Sequence, residues 1–218
     1  MSDLININDV FPNKLCISLE SRQDRRDATT AELGKYGIDF EFYDAKPPIS
    51  DRVREIYNTR LLPGETGAFE SHYDALNKAE MLEWESVLIL EDDVELTPNF
   101  DVKFDEAIRK VPDNWDMIYF GGNHESEPQV LGNGLLKCTE TYAIHMVAIR
   151  NTVYEMLKIT CQMNQYAFPV DFLYATIHCH RNVYAFSPAL AFQRIDYSDI
   201  QGEVVDYTIL RKGHNAEK

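Results

Sequence analysis

The sequence predicts an α/β protein in which helices flank a mostly parallel central sheet. Short apolar runs such as residues 87–90 are β-branched and free of charge, which is typical of strands buried on both faces of a sheet. Longer segments with apolar residues at helical spacing separate these runs. The chain up to residue 120 therefore follows a β-α-β-α-β-α-β order, which favours a parallel sheet. A length of 218 residues with 44% hydrophobic content suits a single domain with a sizeable core.

The elements of the first half are bounded by glycines, prolines and changes in periodicity. We predict a strand at 14–19, a helix at 25–36 that ends at Gly37, a strand at 40–45, a polar helical excursion at 51–63, a long helix at 65–84 and a strand at 87–90. Each apolar run in this half is short enough for a strand, and each helical segment is long enough to cross back over the sheet.

The second half has a looser pattern. We predict a helix at 101–111, a strand at 115–120, a mobile loop at 123–134, a strand at 141–148, helices at 152–162 and 168–178, and a strand at 183–186. Residues 196–218 are polar and predict an extended tail. The expected organisation is one domain over residues 1–195, followed by a C-terminal tail over residues 196–218.

The net charge of -15 restricts the classes of partner that we expect. A negative field of this size disfavours nucleic acids and anionic membranes. No segment reaches the ~20 consecutive apolar residues of a membrane span, and Asp3, Asn6 and Asp9 interrupt the N-terminal region. We therefore expect a cytoplasmic protein without a transmembrane segment, for which peripheral contact with a membrane remains compatible. These features do not specify an oligomeric state.

Three carboxylates, Glu91, Asp92 and Asp93, follow the apolar run 87–90 directly. Ligands of open α/β sheets bind just beyond the carboxyl ends of such strands. Adjacent carboxylates repel one another, and a bound cation relieves that repulsion. Hard oxygen ligands suit Mg²⁺ or Mn²⁺. The alternative is a solvated acidic loop that caps the next helix.

The turn after the first predicted strand is the second candidate site. Arg22, Arg25 and Arg26 are placed to hold a diphosphate through bidentate contacts. The sequence has neither a G-x-G-x-x-G nor a G-K-[ST] motif, so it supports neither a dinucleotide fingerprint nor a P-loop. The alternative is a basic first turn on an exposed helix.

Three further side chains are candidates for chemistry. Ser71 and His72 are helix neighbours that point about 100° apart, so they do not form a nucleophile and base pair. His72 is either a ligand or a structural residue. Asp171 lies between Phe168 and Phe172, where apolar surroundings raise a carboxylate pKa and suit the group to act as a base. The alternative role of Asp171 is a helix cap beside Pro169.

Several of these segments, in this order, resemble glycosyltransferase family 25. Residues 17–26 are similar to the family's I-N-L-x-x-R-x-D-R-R, with Ser18 in place of Asn. Residues 64–72 are similar to G-E-x-G-C-x-x-S-H, with Ala68 in place of Cys. The remaining similarities are L-E-D-D-V at 90–94, W-D-x-x-x-L-G at 115–121, and weaker downstream marks at 169–171, 188–193 and 198–200. The resemblance spans most of the chain.

The resemblance implies a GT-A-type, Rossmann-like fold and an inverting transfer of a sugar from a nucleotide sugar, usually UDP-linked, to an acceptor hydroxyl. It implies that Mn²⁺ or Mg²⁺ binds Asp93 and Glu91. Because a bound cation lowers the basicity of its ligands, we expect the catalytic base to be an acid outside the triplet. Asp171 is the predicted base, and Asp116, inside a predicted strand, is the second candidate. The residues expected to contact the nucleotide sugar are Ser18, Leu19, Arg22, Arg25, Glu65, Ser71, His72, Glu91 and Asp92.

The acceptor remains open between a saccharide, as in lipopolysaccharide biosynthesis, a protein hydroxyl and a modified nucleobase. The negative charge makes the nucleobase the least favoured of these. Two other classes of function remain as alternatives. One is a protein of the same fold that binds a nucleotide sugar without turnover. The other is a Mg²⁺-dependent phosphohydrolase, whose usual D-x-[TV] spacing is absent from the sequence.

Overall fold

A computed structural model of the protein describes residues 4–132 and 134–206. Its strands are β1 Lys14–Ser18, β2 Glu41–Asp44, β3 Ser86–Glu91, β4 Val94–Leu96, β5 Met117–Tyr119, β6 Asn123–His124, β7 Gln129–Val130, β8 Leu135–Lys137, β9 Thr141–Tyr142, β10 Met146–Arg150, β11 Val183–Phe186, β12 Ala191–Gln193, β13 Asp196–Ser198 and β14 Glu203–Val205. Its helices are α1 Ile7–Val10, α2 Gln23–Gly34, α3 Asp51–Tyr57, α4 Pro63–Met81, α5 Phe100–Ile108, α6 Tyr154–Met163 and α7 Val170–Ala175.

The central sheet has eight strands in the order β2-β1-β3-β10-β5-β11-β8-β7. Pairings β1–β2, β1–β3 and β5–β11 are parallel, and the remaining pairings are antiparallel. Six strands therefore point the same way, and β10 and β8 run against them. This arrangement confirms the predicted α/β class with a mostly parallel sheet. Its two reversed strands lie in the second half of the chain, where the sequence pattern is loose.

The strand before the acidic triplet is buried on both faces, as predicted. Side chains along β3 alternate between two hydrophobic clusters on opposite faces of the sheet. Ile89 packs with α4 residues such as Leu76 on one face. Leu90 packs with Phe100 and Phe104 of α5 on the other. Helices thus cover both faces of the sheet. The open side for ligands is the end of the sheet where β1 and β3 terminate.

The pairing of β1 with β3 decides where the candidate residues lie. The two strands are parallel, with Ile17 opposite Glu91. Ser18, at the end of β1, therefore lies beside the acidic triplet at the end of β3. The turn after β1 and the acidic turn after β3 consequently share one edge of the sheet, as the rule for open α/β sheets requires.

Several short strands depart from the predicted pattern. β4 follows the acidic turn and pairs with β12, and the segment predicted as a loop contains β6 and β7. Strands of two or three residues are too short to show a periodicity in the sequence. The predicted helix at 168–178 is shortened to α7, with a 3₁₀ turn at His178–His180.

The segment predicted as a tail begins with a β-hairpin formed by β13 and β14. The hairpin lies over the edge of the sheet that carries the acidic turn. Residues 207–218 of the predicted tail lie outside the described residues, and the domain boundary at residue 195 stays a prediction. In the part of the chain that the structure describes, no helix combines the length and the apolarity needed to cross a bilayer.

Candidate active site

Two neighbouring cavities occupy the edge of the sheet where β1 and β3 end. The first cavity has residues from β1, α2, α4, the acidic turn and the hairpin in its wall, among them Ser18, Arg25, His72, Asp93 and Arg194. The second cavity has Glu65, Asn123, Tyr142, Pro169 and Asp171 in its wall. Both cavities share Ala68, Glu91, Gln193, Ile200 and Gln201. The two cavities are therefore parts of one cleft that meet at Glu91.

Arg25 compensates much of the charge of the acidic turn from within the protein. Its Nη1 lies 3.0 Å from Asp92 Oδ1, and its Nη2 lies 3.2 Å from Asp93 Oδ2. The Arg25 side chain is only 10% exposed, so these ion pairs are little screened by water. The guanidinium suits this position because its fork of donors reaches two carboxylates at once. Part of the predicted need for a bound cation is thus met by this arginine.

The backbone of the acidic turn is held from two directions. Thr29 Oγ1 on α2 donates a hydrogen bond to the Asp92 carbonyl at 2.8 Å. The Arg194 backbone N–H, just after β12, donates to the Asp93 carbonyl at 2.7 Å. These contacts fix the turn between α2 and the segment that leads to the hairpin. The carboxylates of the turn are therefore presented in one defined arrangement.

Asp92 is fully engaged within the protein. Its Oδ2 accepts a hydrogen bond from Ser18 Oγ at 2.6 Å, and its Oδ1 pairs with Arg25. Burial raises the pKa of Asp92, against the opposing effects of Arg25 and the Ser18 hydrogen bond. Ser18 thus acts here as a donor to the acidic turn. Its contact places the end of β1 firmly against the end of β3.

The buried His72 and the half-buried Glu91 form a pair at the junction of the two cavities. His72 Nε2 lies 3.2 Å from Glu91 Oε1, and the imidazole is 1% exposed. Burial would raise the pKa of Glu91, but the hydrogen bond with His72 and the nearby His72, His145 and Arg25 side chains together hold this pKa below its usual range. Glu91 is therefore an ionised carboxylate oriented by His72. This contact gives His72 a structural role, and a ligand role for His72 stays a prediction.

Asp93 retains an oxygen that the protein does not use. Its Oδ1 is buried without a hydrogen-bond partner among the described residues. Burial first, and then the neighbouring Glu91, raise the pKa of Asp93 to about 7. An unpartnered buried carboxylate oxygen is costly, and a cation is one group that would satisfy it.

The carboxylates of the acidic turn fit a divalent metal site in which the substrate and water supply the remaining ligands. Residues 4–132 and 134–206 contain no group of three or more His, Cys, Asp or Glu side chains that could hold a metal ion. A closed all-protein site is therefore not formed by the described residues. Mg²⁺ and Mn²⁺ commonly bind one or two carboxylates and take their other ligands from substrate phosphates and water. Asp93 Oδ1, with Glu91 nearby, fits that arrangement.

The remaining residues predicted to contact the donor are distributed unevenly. Leu19 and Ser71 lie in the wall of the first cavity, but Ser71 Oγ donates to the Gly67 carbonyl at 2.6 Å and so braces α4. Arg22 faces the hairpin and pairs with Asp24 and Asp199. Glu65 lies in the second cavity, where its Oε2 accepts from the Leu62 N–H at 2.6 Å. The structure therefore brings together most, but not all, of the predicted set.

Asp171 stands apart from the acidic turn, in the second cavity. Its Oδ1 accepts from the Phe172 N–H at 2.8 Å, and its Oδ2 makes a weak 3.4 Å contact with the Ala143 N–H. Burial raises the pKa of Asp171, against these two backbone donors. Ala143 adopts a left-handed conformation with φ of 65°, which is uncommon for a residue with a side chain. Asp171 is thus a shielded carboxylate held by backbone groups.

The sequence motifs did not single out several residues of the first cavity. Lys46 follows β2, and Arg194, Asp196 and Asp199 come from the end of the described chain. Their positions depend on long-range packing, because the hairpin lies more than 100 residues beyond the acidic turn. Only the weak resemblance at 188–193 and 198–200 pointed to this region.

Arg25→Ala should lower the free energy of unfolding by about 3 kcal/mol, because it leaves two buried carboxylates without their cation. Urea denaturation of both proteins measures the difference. Arg52→Ala, which removes an exposed arginine on α3, is the matched control and should stay within about 0.5 kcal/mol of the parent. A loss below about 1 kcal/mol for Arg25→Ala would show that the acidic turn does not depend on this residue.

Comparison with known proteins gives the site its context. The family model described as glycosyltransferase family 25 (LPS biosynthesis protein) matches residues 11–129. This range covers more than half of the chain and contains β1, the first turn of α2, α4 and the acidic turn. The chain belongs to glycosyltransferase family 25. Asp171 and the hairpin lie outside the match to this family.

Curated members of family 25 are similar over part of the chain. A "Glycosyltransferase 25 family member" of Aedes aegypti is 31% identical over 142 residues, which is 55% of this chain and 23% of the relative. "Lipooligosaccharide biosynthesis protein lic2B" of Haemophilus influenzae is 34% identical over 92 residues, 39% of this chain and 35% of the relative. "Inactive glycosyltransferase 25 family member 3" of Homo sapiens is 30% identical over 162 residues, 64% of this chain and 27% of the relative. The chain thus spans about a quarter to a third of the length of these relatives.

The fold is also found among solved glycosyltransferases. The crystal structure of a glycosyltransferase involved in the glycosylation of the major capsid of PBCV-1 matches with a TM-score of 0.52 and 13% sequence identity. The match covers 85% of this chain and 93% of that chain. At this identity the likeness concerns the fold alone, and it confirms the GT-A-type architecture that the sequence predicted for this family 25 chain.

Proposed function

We propose that the protein is a metal-dependent glycosyltransferase that moves a sugar from a nucleotide sugar, with UDP as the expected nucleotide, to an acceptor hydroxyl with inversion. The observation that carries the proposal is the cleft itself. Its first cavity holds the acidic turn with the unpartnered Asp93 oxygen, and its second cavity holds a separate, half-buried carboxylate, Asp171. An inverting transfer needs both a site for a leaving diphosphate and a base on the opposite side.

The first cavity suits the donor. Arg25, Lys46 and Arg194 are basic residues in its wall and are able to attract a diphosphate. A Mn²⁺ or Mg²⁺ ion held by Asp93, Glu91 and the diphosphate would supply Lewis-acid stabilisation of the leaving nucleotide. Arg25→Ala should accordingly weaken UDP binding as well as the fold. Ser18, Leu19, Ser71 and Asp92 are expected to shape the nucleotide site.

The second cavity suits the acceptor. Asp171 takes the proton of the acceptor hydroxyl as that oxygen forms its bond to the anomeric carbon. The bond between the anomeric carbon and the phosphate oxygen breaks on the other face, and the nucleoside diphosphate leaves with the electron pair. Partial burial raises the pKa of Asp171, which improves its strength as a base once it is ionised.

A saccharide is the acceptor that we favour. The similarity to a lipooligosaccharide biosynthesis protein supports this choice, and the net charge disfavours a nucleic acid. The charged side chains described in the wall of the second cavity are Glu65, Glu91 and Asp171, all of them acidic. We therefore expect an acceptor that is neutral or cationic. A cytoplasmic location, with peripheral contact to a membrane, remains part of the proposal.

Nucleotide release tests this function. The protein is incubated with Mn²⁺ and with UDP-, GDP- or CMP-sugars, with and without a panel of neutral saccharides, and the free nucleotide is measured. We expect UDP release from one donor and faster release when a saccharide is present. Binding of UDP without release from any donor would identify an inactive binding protein, as the inactive human relative suggests. Release of inorganic phosphate would identify a phosphohydrolase.

A further inference from the structure

The hairpin of β13 and β14 contributes to both cavities. Asp196 and Asp199 lie in the wall of the first cavity, and the tip residues Ile200 and Gln201 lie in the wall that the two cavities share. The Gly202 N–H closes the turn by donating to the Ser198 carbonyl at 2.7 Å. The hairpin is therefore a self-contained unit at the junction of the cleft.

The two hairpin carboxylates hold three arginines. Asp199 pairs with Arg22, and its Oδ2 lies 3.6 Å from Arg25 Nη1. Asp196 Oδ2 lies 3.3 Å from Arg194 Nη2 and 3.7 Å from Arg25 Nε. The ion pair with Asp199 directs the Arg22 side chain toward the hairpin. Arg25 and Arg194 belong to the wall of the first cavity, so the hairpin charges act directly on that cavity.

Shape as well as charge holds the hairpin in place. A Cβ atom at Gly64 would lie only 2.4 Å from Ile200 Cα and 3.0 Å from the Asp199 carbonyl oxygen. The backbone of the hairpin thus rests directly on the first turn of α4. Any side chain at residue 64 would push the hairpin away, because backbone atoms at such distances cannot yield without moving the segment.

We propose that the hairpin is a strap that the donor displaces: a nucleoside diphosphate, when it binds, takes the arginines that Asp196 and Asp199 hold. This inference rests on the proposed function of the first cavity. Carboxylate and phosphate oxygens compete for the same guanidinium donors, so diphosphate binding and the hairpin contacts exclude one another. Displacement moves Ile200 and Gln201 and so couples the first cavity to the second.

If the hairpin carboxylates and the nucleotide compete for the same arginines, removal of one hairpin carboxylate should tighten nucleotide binding. Asp199→Asn should bind UDP roughly three- to tenfold more tightly than the parent in calorimetry with Mn²⁺, because less of the protein is held in the strapped form. Glu203→Gln is the matched control: it removes the same charge from the exposed far strand of the hairpin and should leave the dissociation constant unchanged.

A double-mutant cycle separates competition from a general change in charge. If Asp199 acts by holding Arg22, then Asp199→Asn should give little gain in a protein that already carries Arg22→Ala. A simple electrostatic effect would give the same gain in both backgrounds and would overturn the strap. Equal UDP affinity of the parent and Asp199→Asn would also overturn it, while leaving the donor site intact.

Hydrogen exchange of the backbone over residues 196–206 tests the displacement directly. UDP with Mn²⁺ should increase exchange of this segment in the parent protein. Gly64→Ala keeps every charge and pushes the hairpin away by steric contact. In this variant residues 196–206 should therefore exchange faster than in the parent, even without UDP. Unchanged exchange in the parent protein at saturating UDP would overturn the strap. Failure of every variant to bind UDP, GDP or CMP would overturn both the strap and the proposed function.

Discussion

Asp93→Asn should lower the turnover number by at least about a thousandfold while the protein remains folded. The substitution removes the charged oxygen that the acidic turn leaves unpartnered. Because burial and Glu91 raise the pKa of Asp93 to about 7, the folded protein already tolerates a neutral side chain there near neutral pH. Nucleotide release at saturating Mn²⁺ measures the loss of activity. Thermal unfolding followed by circular dichroism checks that the fold is retained.

The same residue should make nucleotide binding depend on a divalent cation. The parent protein is expected to bind UDP more tightly with Mn²⁺ than with EDTA, and Asp93→Asn is expected to lose this difference. Addition of Mn²⁺ or Mg²⁺ after EDTA should restore the activity of the parent. Full turnover in excess EDTA would contradict a metal-dependent mechanism, and the charge of Arg25 would then have to serve the leaving group.

Asp171→Asn should reduce the turnover number by about 10²–10⁴-fold, which is the usual contribution of a general base. The amide keeps the shape of the side chain, and its single oxygen can still accept from the Phe172 N–H, but it does not accept the acceptor's proton. Donor affinity should remain near that of the parent, because Asp171 lies in the second cavity and not in the first. Turnover and UDP affinity are measured on the same preparation.

The control for this variant is Asp101→Asn, which removes an exposed carboxylate on α5 and should keep the parent's turnover. Asp116, the other acid that the sequence offered as a base, is occupied instead by structural contacts. It accepts hydrogen bonds from Thr152 Oγ1 at 2.6 Å and from the Asn182 N–H at 2.8 Å. A turnover above about a tenth of the parent's in Asp171→Asn would exclude Asp171 as the base.

The local sequence was sufficient to predict the position of the acidic turn. A charge-free β-branched run buries itself as a strand, and the carboxylates that follow it must lie at the carboxyl end of that strand. The turn after β1 shares that edge because β1 and β3 are parallel neighbours. The sequence thus predicted two candidate turns at the carboxyl ends of strands, and the pairing of β1 with β3 in the structure brought Ser18 and Arg25 against the acidic turn.

The compensation of charge within this site was not readable from the sequence. Repulsion within the acidic triplet predicted a bound cation, yet Arg25 already contacts Asp92 and Asp93. Likewise, His72 and Glu91 are 19 residues apart and meet only because α4 packs beside β3. Which charges are paired depends on side-chain directions that no periodicity specifies.

The sequence by itself determined the α/β class, the order of the elements to β5 apart from the short α1 and β4, the family resemblance and the acidic edge of the sheet, because each follows from contiguous residues and local periodicity. The tertiary structure alone decided that β10 enters the sheet antiparallel between β3 and β5. It also placed Asp171 in the second cavity, which shares part of its wall with the cavity that holds the acidic turn, and it placed the hairpin over the cleft. The physical reason is that these contacts join segments from about 30 to more than 100 residues apart, whose pairing is selected by the burial of the whole core and not by any local signal.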